Sequence, residues 1–445
     1  MPIIAIILGI AILIYMIIRL KMNTFVSLVI TSIFVGLFLG IPWTRIAEVV
    51  EKGIGDQVGH LAIIFGLGSM LGKLISDSGA GHQIAMTLTE KFGPKYIEWA
   101  VVISAFVIGL ALFFEVGLVV LLPIIYVIAQ EMNIALLYLA IPMAAALNVA
   151  HAFLPPHPAP TAIAGILGAP LGQVLLLGII AAIPTVIIMG PGYNHLLHRL
   201  APQIYHKNVK IAVLGDVKMD WQKDELPSFG VSLATAVMPV ILIVIATLAK
   251  YLLPKHIFIG EFLQFIGIPD IAMILALIWA IYAVGLKRGM HMKQIGQSFE
   301  TAIKQIAMML LIVGGGGAFK EVLVEGGVAK YVSQMFTNLD LSPLIAAWLI
   351  TAVLRICLGS TTVASLTGAG LVAPMIASTT VDPALMVLAV GAGSVFCDHV
   401  NGAGFWMVKQ YFGLTLKEAL LSWTTLTMVM SVVGLVAVLG ISLFV

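Results

Sequence analysis

Four short polar clusters interrupt long apolar stretches of this sequence, and each carries residue types that do chemistry only once brought together. The first is Glu115, in LFFEVGLVVLLPI (112–124), with Phe113 and Phe114 before it and Gly117 after it. A carboxyl in such surroundings, with no basic neighbour in sequence, is suited to taking up and releasing a proton. The second is HAFLPPHPAPTA (151–162), where His151, His157 and Thr161 stand among Pro155, Pro156, Pro158 and Pro160. Proline rings lack the N–H and crowd the preceding turn, so this cluster marks a helix break. The third is LRICLGSTTVASLTG (354–368), with Arg355 inside an apolar run. A helix that stops at Gly359 and restarts at Ser360 presents the hydroxyls of Ser360, Thr361 and Thr362, with free backbone N–H groups, at a positive helix start. That arrangement suits an anion, and Arg355 is placed to bind a carboxylate bidentately or to pair with Glu115 or Asp398. The fourth is SVFCDHVNGAGFW (394–406), in which Asp398, His399 and Asn401 precede Gly402 and Gly404 at another break.

The elements that must position these clusters are set by composition. The chain has 445 residues, 61% hydrophobic and 10% charged, where a soluble domain carries about 25% charged. Its 23 basic and 21 acidic side chains cannot coat a globule of this size in water, which excludes a soluble enzyme. The net charge of +2, with no basic tract, leaves no electrostatic footprint for nucleic acid. Two cysteines, Cys357 and Cys397, both in apolar segments, exclude a disulfide scaffold. The prediction is an all-α polytopic membrane protein with about 12–14 transmembrane segments, since a span takes roughly 20 apolar residues. Apolar runs at 58–76, 97–113, 114–130, 134–152 and 304–320 are among them. Several runs abut without a polar loop, so some are expected to be re-entrant hairpins. Loop charges set orientation. Arg19 and Lys21, then Lys73, Lys91 and Lys95, then Arg199, Lys207, Lys210, Lys218 and Lys223, then Lys287, Arg288 and Lys293 all fall on one side if both termini lie outside.

An internal repeat is expected as well. Gly66, Gly68 and Gly79 lie 248 residues before Gly314, Gly316 and Gly327; Gly117 and Pro123 share the spacing of Gly368 and Pro374; Gly168, Leu171, Leu175 and Leu176 match Gly413, Leu416, Leu420 and Leu421. The fourth polar cluster then occupies the repeat position of the second. Span counting makes the two repeats inverted, with broken helices and a ligand site near the membrane midplane. The predicted organisation is peripheral helices at 1–57, a first repeat at 58–190, a cytoplasmic linker and connecting helices at 191–303, and a second repeat at 304–445. GGGGAFK (314–320) lacks the Gly-Lys-Ser/Thr ending of a phosphate loop, so nucleotide binding is rejected and close helix packing or a hinge is expected.

Different classes of function fit these clusters unequally. A proton-coupled carrier of organic anions would use Thr161, His157, Arg355, Gly359, Ser360, Thr361, Thr362 and Asn401 for substrate, and Glu115, Asp398, His399 or His151 for the proton. An intramembrane hydrolase would need His151, His157, Asp398 and His399 as metal ligands, but no H-E-x-x-H is present and the two histidines of the second cluster flank a proline break. A passive channel would show no accumulation. No cofactor or metal is expected.

At FFEVGLVVLLPI (113–124), HAFLPPHPAPTA (151–162), LRICLGSTTVA (354–364) and DHVNGAGFW (398–406) the chain resembles the gluconate permease family of proton symporters, over essentially its whole length. The resemblance implies a secondary carrier for gluconate or a related hydroxycarboxylate in the cytoplasmic membrane of a bacterium. It also implies a homodimer and an elevator motion. Two positions depart from the expected pattern: Gly402 stands where an acidic residue is expected and Leu358 where a glutamine is. Other sugar acids, glycerate-like acids, D-serine and sodium coupling stay open.

Overall fold

The computed structural model describes residues 2–110, 113–155, 157–207, 209, 211, 221–222, 225–253, 257–328, 331, 341–376 and 381–445. Pro156, Lys210, Lys218 and Lys223, used above, lie outside the described residues. All secondary structure among the described residues is helical. Seven helices are long and apolar enough to cross a membrane, and six more apolar helices are shorter.

Helices α1 (Pro2–Ile18) and α2 (Thr24–Phe38) lead into the long α3 (Ile46–Asp77). A first series follows: α4 (Ala80–Gly109), α5 (Phe114–Glu131), α6 (Leu137–Phe153), α7 (Pro158–Leu167), and α8 (Leu171–Ile187), which runs through a π-turn at Ile188–Gly192 into α9 (Tyr193–Leu200). Helices α10 (Phe229–Leu252), α11 (Phe258–Ile266) and α12 (Pro269–Ala280) connect to the long α13 (Met292–Glu325). The second series repeats the order of the first: α14 (Pro343–Leu358) and α15 (Thr361–Ile376) form a hairpin, and α16 (Pro383–Ser394) and α17 (Ala403–Tyr411) a broken pair. Helix α18 (Leu416–Ala419) then continues through a π-turn at Leu420–Thr424 into α19 (Thr425–Ile441).

Both breaks fall where the sequence places them. Phe153 ends α6, and α7 starts with Pro158 at its first position, where a missing N–H costs no helical bond. Ser394 ends α16, and the chain passes through Cys397 in left-handed conformation (φ 57°) before α17 begins at Ala403. Helix ends differ more. Helix α3 begins at Ile46, before the apolar run at 58 that marks it, and α13 begins at Met292 rather than 304. The added turns carry Glu48, Lys52 and Asp56 in one and Lys293 and Glu300 in the other. An apolar run measures the stretch in hydrocarbon and misses a polar helical extension beyond it. Helix α4 likewise starts at Ala80 and bends at Gly93 (φ 63°, ψ 176°). Helices α7, α11 and α17 are each too short to register as a span.

Helices α3 and α13 pack along one another, with α2 also against α13 and α12 against α3. The glycine run explains how closely they approach. A methyl on Gly53 or Gly317 would collide with the carbonyl oxygen of the other, while Gly314 receives Val58 and Gly315 receives Leu28. The collision is with backbone, so no rotamer change relieves it. Gly53→Val should therefore lower the melting temperature in detergent, overpacking costing about 1–3 kcal/mol. Gly55→Ala, with nothing within 4 Å of the added carbon, should leave it unchanged or raised.

Candidate functional site

Both hairpin tips, the second break and the last turns of α6 before the first break line one cavity of about 670 Å³, part of it open. Three helix starts face it: Phe114 and Glu115 of α5, Thr361 and Thr362 of α15, Ala403 and Gly404 of α17. The first N–H groups of a helix have no partner within it, so three converging starts give the cavity a positive lining.

Arg355 and Asp398 form its central feature. Arg355, in the last turn of α14, forms an ion pair with Asp398, Nη2 lying 2.7 Å from Oδ1, with the side chains 4% and 6% exposed. The other carboxylate oxygen of Asp398 accepts from Trp423 Nε1 at 2.9 Å. Its backbone is held as firmly: the Asp398 N–H donates to Thr427 Oγ1 at 2.9 Å, and its carbonyl accepts from Thr424 Oγ1 at 2.6 Å. Trp423 stacks on Phe114, ring centres 5.3 Å apart, joining the second half to the first. Arg355 Nε and Nη1, and Asn401 Oδ1, are buried without a hydrogen-bond partner. Buried polar atoms are normally paired, so orphans beside a cavity are free to bond a ligand's oxygens and hydroxyls.

The second hairpin tip is tied to the second break. Gly359 ends α14 in left-handed conformation (φ 69°), and a side chain there would run into the backbone of Asn401. Asn401 Nδ2 donates to the carbonyls of Ile356 and Cys357 at 2.7 and 3.3 Å, satisfying acceptors that the end of α14 leaves open. Ser360 Oγ accepts from the Val363 N–H at 3.4 Å, starting α15. Gly402 has a steric reason too: an added carbon would strike Asp398 Oδ1. An acidic residue at that position would have to displace the partner of Arg355.

Of the twelve residues singled out in the sequence, nine line the cavity: Glu115, His151, Arg355, Gly359, Ser360, Thr361, Thr362, Asp398 and Asn401. His157, His399 and Thr161 are not in its wall. His157 Nε2 bonds the carbonyl of Gly109 at 2.6 Å, at the end of α4, and His399 Nε2 bonds that of Ile356 at 3.1 Å, near the end of α14. These two histidines occupy matching places in the two series and fasten each break to its hairpin. Thr161 Oγ1, on α7, is buried without a partner away from the wall. Gln57, Asn148, Gly316, Gly317, Lys320 and Trp423 also line the cavity and were not singled out. Lys320 carried the same signal as Glu115, a charge in an apolar stretch, hidden behind four glycines; Gln57, Asn148 and Trp423 carried none. No group of three or more His, Cys, Asp or Glu arranged to hold a metal occurs among the described residues.

Comparison with known proteins agrees with a site built for transport. Residues 1–444 match the model of the GntP family permease. The chain is 54% identical over 439 residues to the uncharacterized permease YojA of Bacillus subtilis, covering 99% of both proteins. It is 52% identical to the gluconate permease of Bacillus subtilis, covering 100% of both, and 46% identical to the Gnt-II system L-idonate transporter of Escherichia coli, covering 99% of both. With its long apolar helices, the chain belongs to the GntP family of permeases and is a multi-pass membrane transport protein rather than an enzyme.

Proposed function

We propose that this protein carries gluconate, or a closely related small hydroxycarboxylate, into a bacterial cell together with a proton. The names of relatives at 52% and 46% identity, a gluconate permease and an L-idonate transporter, support a sugar acid as cargo. The single observation that carries the reading is the buried Arg355–Asp398 pair, whose guanidinium keeps two unpartnered donors beside the cavity. A proton on Asp398 cancels its charge and releases Nη2, so that Arg355 can hold a substrate carboxylate bidentately. Proton and anion then enter together and the site keeps its net charge, which lowers the cost of carrying it through lipid. Ser360, Thr361, Thr362 and Asn401 read the hydroxyls. Glu115 and His151 stand in the wall as further proton-exchanging groups.

In this reading 58–190 and 304–445 are inverted repeats, both termini lie outside the cytoplasmic membrane, and the chain acts as a homodimer. The hairpins and broken helices move as a unit against the helices around α3 and α13, in an elevator-type cycle. Purified protein in liposomes should accumulate radiolabelled gluconate above equilibrium when an inward proton gradient is imposed, and a protonophore should abolish the accumulation. Uptake indifferent to the proton gradient, or driven equally by sodium alone, would overturn the coupling; no uptake of any sugar acid would overturn the substrate class.

A further inference from the structure

The cavity wall holds two cations, Arg355 and Lys320, and two acids, Glu115 and Asp398. Arg355 is already paired with Asp398. Lys320 lines the same cavity and has neither hydrogen bond nor ion pair among the described residues. The carboxylates near it on α13 are taken by the opposite side: Glu321 binds Lys52 of α3 at 2.5 Å, and Glu325 faces Arg45 at 3.8 Å. A helical side chain leans back over the preceding turn. From position 320 that turn is the bare surface of Gly316 and Gly317, both in the cavity wall. An added carbon on Gly316 would find only Trp406, at 3.7 Å, so the surface is open, and Gln57 of α3 stands beside Gly317.

We infer that Lys320 is a second cationic anchor for the transported hydroxycarboxylate, supplied by α13 and facing the hairpin tip of α14 and α15. The inference rests on the proposed function and adds a residue to that same site. The anion lies between Lys320, with Gln57 beside it, and Arg355, so it bridges the α3–α13 pair and the second hairpin. Lys320 also attracts the anion while Arg355 is still held by Asp398, because no carboxylate is ion-paired to it among the described residues. Neutral polyols, which bring no charge, gain nothing from it.

Binding to the full-length protein in detergent tests this, with gluconate and uncharged sorbitol as probes and thermal stabilisation as readout. Lys320→Gln should raise the Kd for gluconate by about 10-fold or more, the size expected for a hydrogen bond to a charged group. Its melting temperature without ligand should match wild type, and Lys320→Arg should recover most of the affinity. Gluconate binding by Lys320→Gln equal to wild type would overturn the inference while leaving the proposed function standing. Wild-type protein unstabilised by gluconate would overturn both. Should the glutamine variant fail to fold, acylation of Lys320 in wild-type protein by an amine-reactive reagent, read by mass spectrometry, decides instead. Protection by gluconate but not sorbitol is expected, and no protection would overturn the inference.

Discussion

Asp398→Asn should turn a proton-driven accumulator into a passive exchanger. In the wild-type site the carboxylate holds Arg355 Nη2 at 2.7 Å and accepts from Trp423 at 2.9 Å. Asparagine keeps an acceptor for the tryptophan but no charge, so Arg355 is permanently available to a substrate carboxylate. Under the proposed coupling, affinity for gluconate should therefore no longer depend on a proton at this position. Counterflow between labelled and unlabelled anion should persist, while accumulation driven by a proton gradient should vanish. The empty variant should also be less stable, since removing one partner of a buried ion pair costs about 3–5 kcal/mol. Added gluconate should restore part of that loss by supplying the missing negative charge. Uptake assays in liposomes and melting curves with and without gluconate read both effects. A variant that still accumulates gluconate as wild type does would remove Asp398 from coupling.

The two halves share a scaffold and differ at the charged positions, and this difference makes the site. In each half a histidine after the break bonds a carbonyl near the end of the hairpin's first arm, His157 to Gly109 and His399 to Ile356. That common fastening sets both tips against the cavity. The first tip then supplies an acid, Glu115, and the second a base, Arg355, with hydroxyls. A symmetric pair of tips would place like charges together at low dielectric, which is costly. The difference between the two tips gives the cavity charges of both signs.

Much of this was legible in the sequence, for physical reasons. Pro155 cannot extend α6 and Pro158 suits the first turn of α7, so the first break stands where the prolines mark it. The second ends at Gly402, just before α17. Gly359 followed by hydroxyl residues marks a helix end and a helix start, and α14 and α15 meet there. Charges that are rare in lipid mark function, which is why Glu115, Arg355 and Asp398 converge. Pairings between distant segments were not legible. Spacing cannot say whether Arg355 meets Glu115 or Asp398, because the answer depends on how the second break folds back on the hairpin. Nor can it show that a backbone carbonyl occupies the ring nitrogen of His157. Lys320 stayed hidden because its four preceding glycines read as packing, which Gly314, Gly315 and Gly317 do provide; that Gly316 opens onto a cavity is a fact of tertiary structure.

Gly359→Ala should disable the carrier without replacing any side chain that binds substrate. Gly359 sits at φ 69°, ψ 2°, and its N–H donates to the Arg355 carbonyl at 3.0 Å to close the last turn of α14. A left-handed conformation costs a residue with a side chain roughly 1–2 kcal/mol. The added methyl also meets the carbonyl of Asn401 and its Cγ. Because part of that obstacle is backbone, relief requires moving the hairpin tip away from the break. The movement lengthens the bonds from Asn401 Nδ2 to Ile356 and Cys357 and carries Arg355, in the preceding turn, away from Asp398. Strain and collision together should cost about 2–5 kcal/mol, and proton-driven uptake should be lost. Gly168→Ala separates the two contributions. Gly168 ends α7 with the same φ of 69° and has nothing within 4 Å of an added carbon. It should bear the conformational cost alone, with a smaller fall in melting temperature and retained transport. Equal losses in both variants, with transport intact at Gly359→Ala, would show that the contact between the tip and Asn401 does not hold the site together.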